Sequence, residues 1–180
     1  MSVTPLVYGA HHRHLPDPQA PPAPTQGAIH MNTFCRRGDQ VDAESAIPHI
    51  IDTAEAALEV IYFAADYPEQ SQVIALLLDS DLCGRTIVVV DGTVAPDSAI
   101  GVMEMLGEAA AAAGSDQSLV LASVRPGIGP LPGDVDRWLE LNELADTFGC
   151  ELLEWFVISD EVAWCPRDFL VEPPRWPEAS

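Results

Sequence analysis

Four short apolar runs divide the middle of this chain into strands and the segments between them. They span residues 73–78, 86–90, 118–122 and 152–158. Each run is too short for a buried helix and nearly free of polar residues, which is typical of strands that are buried on both faces. The turn-forming sequence of residues 79–84 separates the first two runs, so these runs are predicted to form an antiparallel hairpin.

Three segments with helical spacing of apolar residues alternate with these strands. The first is predicted to be capped by Asp42 or Ser45 and to end near residues 66–68. The second begins at Pro96-Asp97, and the third is capped by Asp134 and ended by Gly149. Two further edge strands are expected, at residues 162–165 and 169–171. The resulting order α-β-β-α-β-α-β-β predicts an α/β sandwich with a mixed sheet flanked by helices.

The prolines set the expected domain boundaries. Six of the 16 prolines lie in the first 24 residues, where no apolar periodicity accompanies them. This composition predicts a flexible arm over residues 1–40, because proline interrupts both helices and strand ladders. A second proline-rich stretch predicts a C-terminal tail over residues 173–180. The folded domain is therefore expected to span residues 41–172.

The net charge limits the class of partner. Eight arginines, no lysine and 28 acidic residues give a formal net charge of −20. Such a chain repels phosphate, so direct contact with nucleic acid is not expected, whereas a basic protein partner is compatible with the charge. No apolar run is long enough to span a bilayer, the N-terminus does not resemble a secretion signal, and the four cysteines form no C-x-x-C pair. A soluble, cytoplasmic protein with reduced thiols is expected.

The loop between the third strand and the third helix has a recognisable order of residues. Residues 119–136, Leu-Val-Leu-Ala-Ser-Val-Arg-Pro-Gly-Ile-Gly-Pro-Leu-Pro-Gly-Asp-Val-Asp, resemble the signature segment of the RadC-like JAB/MPN (JAMM metallopeptidase-like) family. In that family a strand leads into His-x-His-Pro, followed by a serine and an aspartate. Residues 76–79 resemble its strand-turn-strand opening, and residues 150–160 resemble the strand after its motif helix. The resemblance implies a cytidine-deaminase-like α/β sandwich.

The residues that would hold a metal in that family are replaced here. Ser123 and Arg125 stand at the two histidine positions, Gly133 stands at the serine position, and only Asp136 keeps the expected type. Arginine cannot ligate zinc, because its guanidinium keeps its proton and its positive charge. Glu69 is the nearest candidate for the upstream proton-transfer glutamate. Two alternatives are open for Asp136: it is merely an acidic residue in the first helical turn, or it pairs with Arg125 in the place of the metal.

The remaining candidate residues favour structural roles. His11, His12 and His14 form a cluster in the arm that could bind a transition metal, but no cysteine or acidic ligand accompanies them at ligand spacing, so a solvated arm is favoured. Cys165 has no neighbouring histidine to activate it and is expected to be a buried thiol. Glutamates one helical turn apart are expected on solvated helix faces; they are Glu55 with Glu59 and Glu140 with Glu143.

The loss of metal ligands from an otherwise matching segment predicts an inactive JAB/MPN-like domain that serves as a protein-interaction or scaffold module. No cofactor and no catalytic residue are expected under this interpretation, and self-association is left open. One alternative is a zinc-dependent metallopeptidase or isopeptidase with non-standard ligands. Another is an acidic, DNA-mimicking protein associated with DNA repair, which would occupy the groove of a basic protein.

Overall fold

The computed structural model describes residues 29–33, 50–65, 70–113, 117–160 and 162–177. In chain order the elements are β1 (Ile29–Thr33), α1 (Ala54–Ala64), β2 (Gln72–Leu78), β3 (Gly84–Asp91), α2 (Ser98–Ala113), β4 (Ser118–Val124), α3 (Asp134–Phe148), β5 (Glu151–Ser159), β6 (Val162–Trp164) and a 3₁₀ helix (Pro166–Leu170). In these ranges, no helix is long and apolar enough to cross a membrane.

The strands form one mixed sheet in the order β1-β3-β2-β4-β5-β6. The pair β4 and β5 is parallel, and every other neighbouring pair is antiparallel. The predicted hairpin is confirmed as β2 and β3, in which Ile74 faces Val89 and Leu76 faces Ile87. The predicted α/β architecture with a mixed sheet is therefore confirmed, and β2 and β4 lie at its centre.

Helices cover both faces of the sheet. Side chains of α2 and α3, including Met103 and Trp138, pack with Leu121 of β4 in one buried cluster. On the opposite face, Ile61 of α1 belongs to a second cluster with Leu76 and other sheet residues. The helices α2 and α3 approach closely at Gly107, where a Cβ atom would collide with the ring of Phe148. Only glycine permits this approach without a rearrangement.

The first helix begins later than predicted. Thr53, rather than Asp42 or Ser45, is the N-cap of α1, and its hydroxyl accepts a hydrogen bond from the Ala56 backbone N–H at 3.1 Å. Ile50 and Ile51 lie outside the helix because their backbones bind the hairpin turn: Ile50 bridges to Cys83, and the Ile51 N–H donates to the Leu82 carbonyl at 2.8 Å. The apolar residues Ile50 and Ile51 are therefore not part of the predicted helix, and Asp42 and Ser45 lie outside the described residues.

Folded segments lie beyond both expected ends of the domain. Residues 29–33 of the predicted arm form β1, which pairs antiparallel with β3; the dense prolines end at Pro24, before this segment begins. At the other end, residues 169–171 do not form the predicted strand, because Pro166 begins a 3₁₀ helix that ends at Leu170. Arg175 of the predicted tail packs on the domain, with its guanidinium 5.1 Å from the centre of the Trp138 ring.

Candidate functional site

The loop that resembles the JAB/MPN signature connects the end of β4 to the first turn of α3. The Arg125 backbone N–H donates to the Ile158 carbonyl at 2.8 Å, which fixes the start of the loop beside β5. Gly133 has a φ of 89° and is the N-cap of α3. Asp134, which the sequence predicted as the cap, is instead the first residue of the helix. A left-handed backbone at Gly133 thus turns the chain into α3 at no steric cost.

Arg125 and Asp134 form a buried ion pair at this junction. Nη1 of Arg125 lies 3.1 Å from Oδ1 and 2.9 Å from Oδ2 of the carboxylate, and the two side chains are 8% and 5% exposed. The second guanidinium nitrogen, Nη2, donates to the Pro96 carbonyl at 3.4 Å. The charged pair is stabilised by these bonds, because buried charges require both a counter-charge and hydrogen bonds.

The carboxylate of Asp134 has further donors. The Leu131 backbone N–H donates to Oδ2 at 2.7 Å, and Nη1 of Arg137 lies 3.3 Å from Oδ1. Arg137 in turn donates through Nε to Asp97 at 2.6 Å. The four charged residues Arg125, Asp134, Arg137 and Asp97 form a network with two positive and two negative charges. Its formal charge is therefore zero.

Ser123 shares this site through Trp155 of β5. Its hydroxyl accepts a hydrogen bond from the indole Nε1 at 3.1 Å, and the guanidinium carbon of Arg125 lies 5.8 Å from the centre of the same ring. Ser123 is 4% exposed and Arg125 is 7% exposed. Residues two positions apart on a strand face the same side of the sheet, which explains why both contact one aromatic ring.

Of the two alternatives for Asp136, the first agrees with the structure: Asp136 is an exposed acidic residue in the first turn of α3. Arg125 does form an ion pair at this position, but its partner is Asp134, two residues earlier. The alternative in which Asp136 pairs with Arg125 is therefore wrong. Glu69 and the cluster His11, His12 and His14 lie outside the residues that the structure describes.

The donor set of this site does not fit zinc. Zinc sites in proteins use deprotonated cysteine, neutral histidine and carboxylate ligands. Here the carboxylate that pairs with Arg125, Asp134, already accepts from two arginines and a backbone amide. Ser123 accepts from an indole, and Arg125 brings a fixed positive charge. Across the described residues, no group of three or more histidine, cysteine, aspartate or glutamate side chains is placed to hold a metal ion.

A second buried ion pair, which the sequence did not reveal, lies at the edge of β5. Glu154 is fully buried, and Nη2 of Arg167 in the 3₁₀ helix lies 2.5 Å from its Oε2. Burial raises the pKa of the Glu154 carboxyl, an effect that the Arg167 guanidinium opposes. The pairing register shifts between Leu119 and Val120 of β4, whose partners are Leu152 and Glu154. The omitted residue, Leu153, forms a bulge that reverses the alternation of faces.

The three cysteines that the structure describes, Cys83, Cys150 and Cys165, form no disulfide, and Cys165, which was expected to be buried, is half-buried. Burial, together with the negative charges of Glu154 and Asp168, raises the pKa of Cys165 to about 12. Burial also raises the pKa of Cys150, which is 7% exposed. A thiol with a raised pKa is a poor nucleophile near neutral pH. The glutamates Glu55, Glu59, Glu140 and Glu143 are exposed, as expected for solvated helix faces.

Comparisons with known proteins do not assign the chain to a family. No protein-family model matches the sequence, and no curated protein matches it.

Proposed function

We propose that this chain is a catalytically inactive domain of the RadC-like JAB/MPN type, with a cytidine-deaminase-like fold, that functions by binding another protein. One observation carries the proposal. The buried pair of Arg125 and Asp134 lies at the strand end where the resemblance implies zinc ligands, and Ser123 stands at the other expected histidine position. The Asp134 carboxylate is already bound to two arginines, so it is not free to hold a metal ion that would activate water.

The order of the elements supports this assignment. A helix precedes the hairpin of β2 and β3, and the helices α2 and α3 then alternate with the strands β4 and β5. The loop in question connects β4, at the centre of the sheet, to α3. The resemblance had implied this position for the signature segment, between a buried strand and the helix that follows it.

The charge distribution favours a basic partner. Each of the five arginines in the described ranges has a carboxylate within 4 Å; they are Arg85, Arg125, Arg137, Arg167 and Arg175. The arginines there are thus already compensated, and the remaining surface charge is carboxylate. Long-range attraction then steers positively charged proteins towards this domain. A cytoplasmic location is part of the proposal, and the thiols of Cys150 and Cys165, which form no disulfide, support it.

Metal analysis of the full chain, purified without a tag, tests the proposal. We expect less than stoichiometric zinc by plasma mass spectrometry, and we expect a chelator to leave the melting temperature unchanged, because removal of a bound metal would lower it. A variant with His11, His12 and His14 replaced by alanine is the matched control for zinc bound by the histidine cluster. Stoichiometric zinc that persists in this variant would contradict the proposal and favour a zinc-dependent peptidase.

A further inference from the structure

An apolar groove lies beside the Arg125 and Asp134 pair, on the outer side of the loop. It has a volume of about 340 Å³. One wall is formed by the loop residues 130–135, and the other by Trp164, Pro166 and Phe169, with Val157 also lining it. Apart from Gly133 and Asp134, all of these lining residues are apolar. Such a volume is at the lower end of the range for ligand sites and accommodates large apolar side chains.

The walls of this groove are held in place by buried contacts. Trp164 packs against the loop at Gly129, where a Cβ atom would lie 3.6 Å from the indole. The buried Arg167, next to Pro166, is bound to Glu154, and Asp134 is bound to Arg125. The pair of Asp134 and Arg125 therefore holds the loop wall, and the pair of Arg167 and Glu154 holds the opposite wall. A groove formed in advance loses little conformational entropy when it binds a ligand.

One lining residue of the groove is both apolar and well exposed. This residue, Phe169, is 64% exposed. Trp164, which also lines the groove, belongs to β6, which pairs with β5 on one side and is the last strand of the sheet. An edge strand beside an apolar groove is the arrangement by which many domains bind an extended peptide segment.

The charges around the groove select the kind of partner. Asp136 and Asp168 are exposed, and each is next in sequence to a residue that lines the groove. Asp160 is also exposed, and it accepts a hydrogen bond from the Gly127 backbone N–H in the same loop. The nearby arginines are compensated: Arg125 and Arg137 by Asp134 and Asp97, and Arg167 by Glu154. The uncompensated charges of these three aspartates are negative, which disfavours a second copy of this acidic chain as the partner.

We propose that this groove binds an extended segment of a partner protein, with one bulky apolar side chain in the groove and arginine or lysine residues on either side of it. This inference rests on the proposed function as a protein-binding domain and names the surface and the chemistry of the partner. The loop that resembles a catalytic signature then serves as one wall of a docking site. Its buried ion pair keeps that wall rigid.

Selection of random peptides displayed on phage against the full chain tests the proposal. We expect enrichment of peptides that carry tryptophan, phenylalanine or leucine next to arginine or lysine. The most enriched peptide, synthesised with a fluorescent label, is the probe for affinity measurements. Replacement of the exposed anchor in Phe169→Ser should weaken its binding by about tenfold. The combined variant Asp136→Asn with Asp168→Asn should weaken binding and reduce its dependence on salt.

The variant Phe63→Ser is the matched control. Phe63 is 88% exposed and lies on α1, which packs on the opposite face of the sheet, so this variant should bind the probe like the unaltered chain. The proposal is overturned if no peptide is enriched, if the enriched peptides lack the apolar and basic residues, or if Phe63→Ser and Phe169→Ser weaken binding equally. It is overturned in favour of a second copy if the chain dimerises and Phe169→Ser abolishes the dimer.

Different experimental results would overturn the groove proposal and the proposed function. If a partner protein binds and Phe169→Ser leaves its binding unchanged, the groove proposal is overturned while the protein-binding function stands. Stoichiometric zinc in the domain, measured on the same preparation with the histidine cluster removed, overturns the proposed function whatever the peptide result.

Discussion

Arg125 and Asp134 are ion-paired at 2.9 Å in a position where neither side chain is more than 8% exposed. Neither charge can be hydrated if its partner is removed. The two residues therefore stabilise the junction of β4 and α3 as a unit, and this dependence can be measured.

Replacing either member of this pair alone should lower the free energy of unfolding strongly, because the remaining charge stays buried without its main partner. We expect Arg125→Met to lower the free energy of unfolding by about 3 kcal/mol, because it leaves a buried carboxylate with Arg137 as its remaining counter-charge. Asp134→Asn should also destabilise, since it leaves the Arg125 charge buried. The double variant should lose less stability than the sum of the two single variants. Urea unfolding of all four proteins measures this coupling, and strictly additive losses would contradict it.

An exposed ion pair provides the matched control. Arg85 pairs with Asp79, but its side chain is 54% exposed. Arg85→Met should therefore change the free energy of unfolding by no more than about 1 kcal/mol.

The carboxylate of Asp79 should make stability depend on pH. Hydrogen bonds from the backbone N–H of Cys83 at 2.9 Å and of Asp81 at 3.0 Å, together with Arg85, lower its pKa below the ordinary value of 3.8. A lowered pKa means that the stabilisation is complete above pH 3.8 and is lost as the pH falls through the pKa of the folded state. We expect Asp79→Asn to be less stable than the unaltered chain by about 1 kcal/mol at pH 7. This difference should shrink below pH 4, and a constant difference across that range would refute the assignment.

Cys165 should resist alkylation. With a pKa of about 12, its thiolate fraction at pH 8 is about one in ten thousand, so its reaction with iodoacetamide should be orders of magnitude slower than that of an unperturbed thiol. Mass spectrometry of tryptic peptides measures the rate at each cysteine. Asp168→Asn removes one negative charge from an exposed residue and should raise the rate. A fast reaction of Cys165 in the folded chain would be inconsistent with the raised pKa of its thiol.

The sequence predicted the sheet and the helices α2 and α3 because their apolar residues follow simple periods. It did not predict which acidic residue meets Arg125. Asp134 and Asp136 both lie in the first turn of α3, but two residues are separated by about 200° around a helix, so only one of them can face the strand end. That choice depends on the left-handed turn at Gly133, whose backbone angle cannot be read from residue type alone.

The burial of Glu154 on β5 could not be predicted from the sequence for a different reason. A single bulge at Leu153 reverses the alternation of faces, so the surroundings of Glu154 could not be derived from a strict period of two. The partner that makes this burial tolerable, Arg167, comes from a segment predicted as loop and strand. Long-range pairs of this kind leave no local signal in the chain.

The strand β1 should contribute to stability. The proline-rich composition predicted a flexible arm over residues 1–40, but residues 29–33 pair with β3 along the edge of the sheet. We therefore expect a chain that begins at residue 41 to unfold at a lower urea concentration than a chain that begins at residue 29. Equal midpoints for the two truncated chains would show that β1 adds nothing to the sheet.

The C-terminal segment should also contribute to the stability of the domain, through Arg175. Arg175 donates to the Leu152 carbonyl at 2.9 Å on the edge of β5, and it also bonds to Asn142 of α3. Loss of these bonds in Arg175→Ala should cost about 1–3 kcal/mol, because a carbonyl of the sheet loses its donor. Arg85→Ala, at an exposed arginine, is the control. Urea unfolding of both variants measures the two losses of free energy, and equal losses would contradict the prediction.

Restoring the missing imidazoles tests whether the site has the geometry of a metal centre. Ser123 and Arg125 contact the same ring of Trp155, and Arg125 contacts Asp134. In the double variant Ser123→His with Arg125→His, two imidazoles and the Asp134 carboxylate should therefore form a three-ligand zinc site. We expect zinc binding by calorimetry and a higher melting temperature with zinc than without it.

Adding Asp134→Ala to the double variant should abolish this zinc binding. Adding Asp136→Ala should leave it intact, because Asp136 is exposed and lies away from the pair. Zinc binding that depends on Asp136 rather than Asp134 would contradict this choice of ligands and would match the aspartate position of the family motif instead. A double variant that folds and binds no zinc would mean that these positions do not converge as a ligand set, and the resemblance to a JAB/MPN metal centre would lose its support.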